Sequence, residues 1–204
     1  MLLVSIFPLS TIWYINYQDS TAKIKNHVDV QLTTVVNQLA TYVDVWVDMN
    51  KRMLLQNAAF SSIRSMDAAS QTPVLMAMNR IYDWGYLSFT VDSAGNNIGR
   101  SDGKPLKHYG DRSYVKQVLE GNQFGKQVLI GKTSGKPAFV LSTAIYDDSR
   151  KISGVLAIAM TITELSERIT NTRIGESGQT FLLDHEGKVI AHQSPEFTRT
   201  RKDF

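Results

Sequence analysis

The sequence predicts an α+β protein, a long amino-terminal helix followed by modules of antiparallel sheet. Three observations predict it. An apolar stripe runs from Val28 to Met53 with alternating four- and three-residue spacing, and no Pro or Gly interrupts residues 18–71. From Tyr86 onward, short apolar runs are separated by turns containing Gly or Asp. The composition is globular: of 204 residues, 43% are hydrophobic and 20% charged, which excludes a collagen and a wholly disordered chain. With no Cys, the chain has no thiolate chemistry, Cys-ligated zinc or iron–sulfur cluster. The formal net charge of +3 makes no case for nucleic acid.

The first 17 residues carry no charged side chain, and the first charge is Asp19. As a helix this run is about 26 Å long, just short of a ~30 Å hydrocarbon core. Trp13, Tyr14 and Tyr17 stand at its end, where amphipathic rings favour the membrane boundary. Residues 1–18 therefore read as a transmembrane anchor. A cleaved leader fits less well, because a basic flank and a small-residue cleavage site are both missing. A buried core helix is the remaining alternative. The missing basic flank implies an amino terminus that is absent or misassigned, and so a piece of a longer protein.

Residues 19–72 read as one long stalk helix, with Asp19 and Ser20 as candidate caps. Its stripe is Val28, Leu32, Val35, Leu39, Tyr42, Trp46, Met49 and Met53. The amino-terminal half suits pairing with a second copy in a homodimer. The apolar stretch at 53–60 suits packing within the chain.

Residues 73–173 read as a first α/β module. Pro73 opens a short helix through Val74, Leu75, Met78 and Ile81. Residues 86–91 alternate as a strand, 92–95 form a turn and 97–101 the return strand. A loop over 104–114 leads to a short helix at 114–119, stopped by Gly121. Strands follow at 127–131, 138–146 and 152–161, the last two joined by a hairpin turn at 147–150, then a helix at 164–172. Residues 174–204 begin a second, incomplete module, with strands at 180–184 and 188–192 around His185-Glu186-Gly187.

An internal repeat supports two copies. "FTVDSAGNNIGRS" and "FLLDHEGKVIAHQ" share a strand, an Asp, two residues, a Gly and a return strand. Asp92 matches Asp184, Gly95 matches Gly187, and Arg100 matches His192.

The order of features resembles the double Cache (PAS-like) sensor domains of bacterial methyl-accepting chemotaxis proteins. The segments that carry the resemblance are Gly99-Arg-Ser-Asp-Gly103, Asp111-Arg-Ser-Tyr114, Ile130-Gly-Lys-Thr-Ser-Gly-Lys-Pro137, Gly154-Val-Leu156 and Gly175-Glu-Ser-Gly-Gln-Thr-Phe-Leu-Leu-Asp184. It covers roughly residues 20–204. The resemblance implies PAS-like modules with antiparallel sheets, a membrane-distal one at 73–173 and a membrane-proximal one at 174–204. It also implies a periplasmic sensor on the inner membrane, with a small-molecule ligand, a periplasmic binding protein as a further candidate partner, and no cofactor. Similar sensors sit on diguanylate cyclases and histidine kinases, which leaves the output open.

The resemblance places the ligand pocket at an Arg-x-aromatic on the short helix, here Arg112 and Tyr114, and on the strands that follow. Arg suits a carboxylate because its planar fork makes two charge-assisted hydrogen bonds. Trp84, Tyr86 and Phe89 are candidate walls; Arg100, Asp102, Lys132 and Thr133 are further polar candidates. Family members that bind α-amino acids carry acids on the strand after the helix and on the Gly-Val strand. Here those places read Leu129-Ile130-Gly131 and Ala159. An ammonium entering such a pocket unpaired costs several kcal/mol. The expected ligand is therefore a carboxylate or another small anion, and not a general amino acid.

A membrane-anchored periplasmic enzyme is the competing class. The chain has no nucleophile elbow, no H-E-x-x-H and no phosphate loop; Gly131-Lys132-Thr133 lacks the Gly five residues earlier, where Lys126 stands. His27, His108, His185 and His192 show no metal-ligand spacing. Asp184-His185-Glu186 reads as turn chemistry.

Overall fold

A computed structural model describes residues 2–132, 134–135, 137–174, 178–184, 186–194 and 196–197. Three helices come first: α1 (Leu2–Ala58), α2 (Ser61–Arg64) and α3 (Ala68–Ile81). Strands β1 (Gly85–Asp92) and β2 (Asn97–Arg100) precede α4 (Ser113–Leu119). Then come β3 (Phe124–Ile130), β4 (Pro137–Tyr146), β5 (Ile152–Thr161), α5 (Thr163–Thr170), β6 (Leu182–Leu183) and β7 (Val189–Ala191). The first five strands form one antiparallel sheet in the order β2-β1-β5-β4-β3.

Both faces of this sheet are covered, so its central strands are nearly continuous apolar runs. The pleat sends alternate residues of β5 to opposite faces. Leu156, Ile158 and Met160 meet Met53 and Leu54 of α1, Ile63 of α2, and Leu75 and Met78 of α3. Val155, Ala157 and Ala159 face the other way, toward Tyr114, Val115 and Val118 of α4. The residues on the α1 face are large. Two of the three on the α4 face are alanines, which leaves room beneath α4.

Three expectations for the helices need correction. Asp19 and Ser20 do not cap a helix, because α1 runs unbroken from Leu2 and holds both inside it, with Asp19 paired to Lys23 at 2.7 Å. Among the described residues no helix is long and apolar enough to cross a membrane. Polar Ser10, Thr11, Asn16 and Gln18 dilute the run that begins α1. The long helix also stops at Ala58 rather than near residue 72. No Gly or Pro ends it; α2 closes with Met66 at φ 51°, and Asp67 then caps α3 by accepting from the Ser70 N–H at 2.8 Å. Pro73 accordingly lies inside α3 and does not open it.

The stripe on α1 is divided as its composition suggests. Val28 and Leu32 are exposed, while Met53 and Leu54 are buried. Near the sheet the buried face drifts off the strict heptad, so Met49 is exposed and Asn50 is buried instead. Asn50 is satisfied there, donating to the Trp46 carbonyl and accepting from the Trp84 indole N–H at 3.0 Å. α5 docks on the same helix through Arg168, whose guanidinium lies 4.3 Å from the centre of the Tyr42 ring.

The internal repeat is a repeat of structure. Asp92 Oδ1 accepts from the Ala94 and Asn96 N–H groups, and Asp184 Oδ1 accepts from those of Glu186 and Lys188. Gly95 and Gly187 occupy the left-handed region at φ 85° and 80°, which an L side chain resists. Among the described residues the second copy amounts to the β6–β7 hairpin. His185 and residues 175–177 lie outside the described residues.

Candidate ligand-binding site

A hollow opens between α4 and the alanine-bearing face of the sheet. Counted with its mouth, which opens to solvent, it spans about 290 Å³ between atoms, of which about 20 Å³ admits the centre of a water molecule. Its floor is Leu87 and Phe89 of β1, Leu129 of β3, Val140 of β4 and Ala159 of β5. Its roof is Arg112 and Tyr114, and Tyr86, Tyr109, Gly131 and Lys132 complete the rim.

Each polar side chain is placed by a local feature. Arg112 is the N-cap residue of α4, with extended backbone at ψ 134°, and two residues on Tyr114 sits in the first turn. α4 lies close on β3 because Gly125 has no side chain: a Cβ there would stand 2.0 Å from the Tyr114 carbonyl oxygen. Tyr114 is 2% exposed and meets Phe89 edge-on at 6.3 Å. Its hydroxyl has no hydrogen-bond partner among the described residues, and burial pushes its pKa well above the ordinary phenol value. It remains a neutral donor at any working pH.

Tyr86 reaches the hollow through a break in strand register. Gly85 pairs with Met160 and Leu87 with Ala159, so Tyr86 is an extra residue on β1. Such a bulge re-aims side chains, and here Tyr86 and Leu87 both line the hollow. Burial raises the Tyr86 pKa, and its hydroxyl accepts from Ser134 at 3.4 Å.

The rim carries two cations against one carboxylate. Lys132 Nζ donates to both Asp111 carboxylate oxygens at 2.8 and 3.0 Å and lies 5.7 Å from the Tyr109 ring centre. Arg112 Nε is 3.8 Å from the same carboxylate, too far for a hydrogen bond. Asp111 is held below the ordinary carboxylate range, chiefly by its hydrogen bond from Lys132. The guanidinium fork is therefore the cation at this rim with donors to spare.

The structure brings Arg112, Tyr114, Tyr86 and Lys132 together and separates three other candidates from them. Trp84 is on the opposite face, tilted against Tyr82 and bonded to Asn50, because it belongs to the α1 core. Arg100 is buried one side chain behind the hollow. Its Nε and Nη2 pair with both oxygens of Asp102 at 2.8 and 2.9 Å, and its Nη1 donates to the Tyr109 hydroxyl at 2.9 Å. Arg100 and Asp102 thus satisfy each other and brace Tyr109. Thr133 lies outside the described residues. Tyr109 was not a candidate from sequence, yet it forms a wall, its ring 4.6 Å from that of Phe89. Its only signal is an aromatic residue in a loop rich in charge and Gly. Gly131 and Ala159, where the resemblance expects acids in amino-acid binders, line the hollow together with Leu129.

A second hollow, framed by Arg64, Tyr146, Asp147, Asp148 and Arg150, is larger but open at the β4–β5 turn. Arg64 is already engaged there, by Asp148 at 2.5 Å and the Tyr146 carbonyl at 3.0 Å.

Known proteins supply an independent comparison. The sensor domain of the Vibrio cholerae histidine kinase DctB superposes with a TM-score of 0.68 at 15% identity, covering 84% of this chain and 67% of that one. The ligand-binding domain of the Campylobacter jejuni chemoreceptor Tlp3, in complex with L-valine, gives 0.64 at 18% identity over 89% and 75% of the two chains. That of the Pseudomonas aeruginosa amino-acid chemoreceptor PctC, in complex with GABA, gives 0.68 at 13% identity over 82% and 76%. At such identities the likeness is one of fold. No curated protein matches by sequence. The model of the Cache domain family matches residues 20–204, nearly the whole chain, and the chain belongs to that family.

Proposed function

We propose that this chain is the extracytoplasmic sensor domain of a bacterial membrane chemoreceptor, and that the hollow beneath α4 binds a small anion, a carboxylate first. The observation that carries the reading is the pairing of Arg112 with an apolar floor. The Arg112 fork has unused donors beside Leu129 and Ala159; among the described residues no acid belongs to the lining, and Asp111 at the rim is already bonded to Lys132, so nothing there receives an ammonium. Among Cache relatives, Tlp3 was solved with L-valine and PctC with GABA, ligands that carry both a carboxylate and an amine. The proposal is that this chain keeps the carboxylate half of that recognition. The likeness to DctB supports a histidine kinase as the alternative output, and the hollow is compatible with either.

Calorimetry of the purified chain tests the anion reading. Small organic acids are expected to bind, and serine, valine, leucine and isoleucine to give no heat of binding. Tight binding of several plain amino acids would contradict it.

In the same reading the exposed half of α1 pairs with a second copy, and its amino-terminal end, where Trp13 stacks on Tyr17 at 5.6 Å, meets the membrane surface. Ligand binding then has to favour one arrangement of sheet and helix over another to produce a signal. Replacing Leu32 and Leu39 by Asp is expected to weaken self-association in sedimentation equilibrium and leave the sheet module's thermal transition in place. A wild-type chain that stays monomeric at high concentration in detergent would refute the pairing.

A further inference from the structure

We infer that the hollow selects a singly charged carboxylate with a compact apolar body, and turns away dicarboxylates of the same length. The inference rests on the anion reading above and narrows it. Among the described residues, the cations that line the hollow, Arg112 and Lys132, are both at the rim. The floor beyond them is Leu87, Phe89, Leu129, Val140 and Ala159, every one of them buried and apolar. Arg100 does not line the hollow; it donates to the hydroxyl of the wall residue Tyr109 and pairs with Asp102.

A carboxylate held by the Arg112 fork can also accept from the Tyr114 hydroxyl, whose donor is otherwise unused. Whatever extends past it meets hydrocarbon. A methylene chain gains from that contact. A second carboxylate loses its hydration with nothing to replace it. The space is tight, about 20 Å³ being open to water centres, so a bound tail has to be compact and enters against the rim side chains Tyr86 and Lys132.

Acetate, propionate, butyrate and succinate, titrated calorimetrically into the full chain and into Arg112→Ala, test this. Affinity is expected to rise about fourfold per added methylene from acetate to butyrate. Succinate, equal to butyrate in carbon number, is expected to bind about tenfold weaker or less tightly still. Ala159→Leu, which narrows the floor, is expected to weaken butyrate more than acetate; the wild-type series decides the matter if that variant does not fold. Succinate binding as tightly as butyrate, with dependence on Arg112, would overturn the inference and leave the anion site standing. A flat acetate-to-butyrate series would overturn it equally. Butyrate binding unchanged in Arg112→Ala, or no binding by any of the four acids, would remove the anion site and the inference with it.

Discussion

Arg112→Ala is expected to weaken carboxylate binding by about 100-fold or more while the protein stays folded. Two charge-assisted hydrogen bonds to one carboxylate contribute about 1.5–3 kcal/mol each, and every 1.4 kcal/mol is tenfold in affinity. The side chain carries little else. Its nearest charged partner is Asp111 at 3.8 Å, and it caps α4 with its backbone, not its side chain. The melting temperature should therefore move by no more than about 2 °C. Arg112→Lys should fall between, because an ammonium keeps the charge and loses the fork. Calorimetry and a thermal melt on the same preparations separate binding from folding. A variant that binds as wild type would show that Arg112 only decorates the rim.

The second large effect concerns a residue that does not touch the hollow. Arg100→Ala is expected to destabilise the fold by about 3–5 kcal/mol, because it strands a carboxylate and a phenol in the protein interior. Arg100 has 1% of its side chain exposed and Asp102 16%, so solvent screens the pair little. The pH dependence carries the same signature. The hydrogen bonds from Arg100 hold the Asp102 carboxyl below its ordinary value. A carboxyl depressed in the folded state stabilises fully above its unfolded pKa, near 3.9, and that stabilisation is lost as pH falls through the folded value. Urea titrations of the wild type should show stability falling below about pH 5, with Asp102 among the contributors. In Arg100→Ala that part of the slope should disappear. Equal acid slopes in the two proteins would show that the pair does not hold Asp102 in its charged form.

These two arginines also mark how far the residues alone lead. Strands β4 and β5, their turn, and the paired Asp-x-x-Gly hairpins were legible because each is specified locally, by apolar continuity or by a carboxylate bonding its own turn. That Arg112 and Tyr114 stand beside one hollow under α4 follows the order the resemblance implies. Arg100 was misplaced because spacing does not reveal which charges meet, and a bidentate pair with a residue two positions on looks in sequence like two free polar groups. The bulge that delivers Tyr86 is set by register against β5, and the wall made by Tyr109 by tertiary packing. The end of α1 at Ala58 has no Gly or Pro to announce it. It follows from the need of Ile63 and Leu75 to reach the same face of the sheet as Leu54.

A nitrogen-15 NMR titration of the labelled chain with butyrate tests the central claim, that the hollow under α4 is the ligand site. The backbone amides of Arg112, Tyr114, Gly131 and Ala159, with the Arg112 Nε resonance, are expected to shift together along one saturating curve. Shifts confined to Arg64 and Arg150 at the β4–β5 turn, or no shift at saturating butyrate, would contradict it.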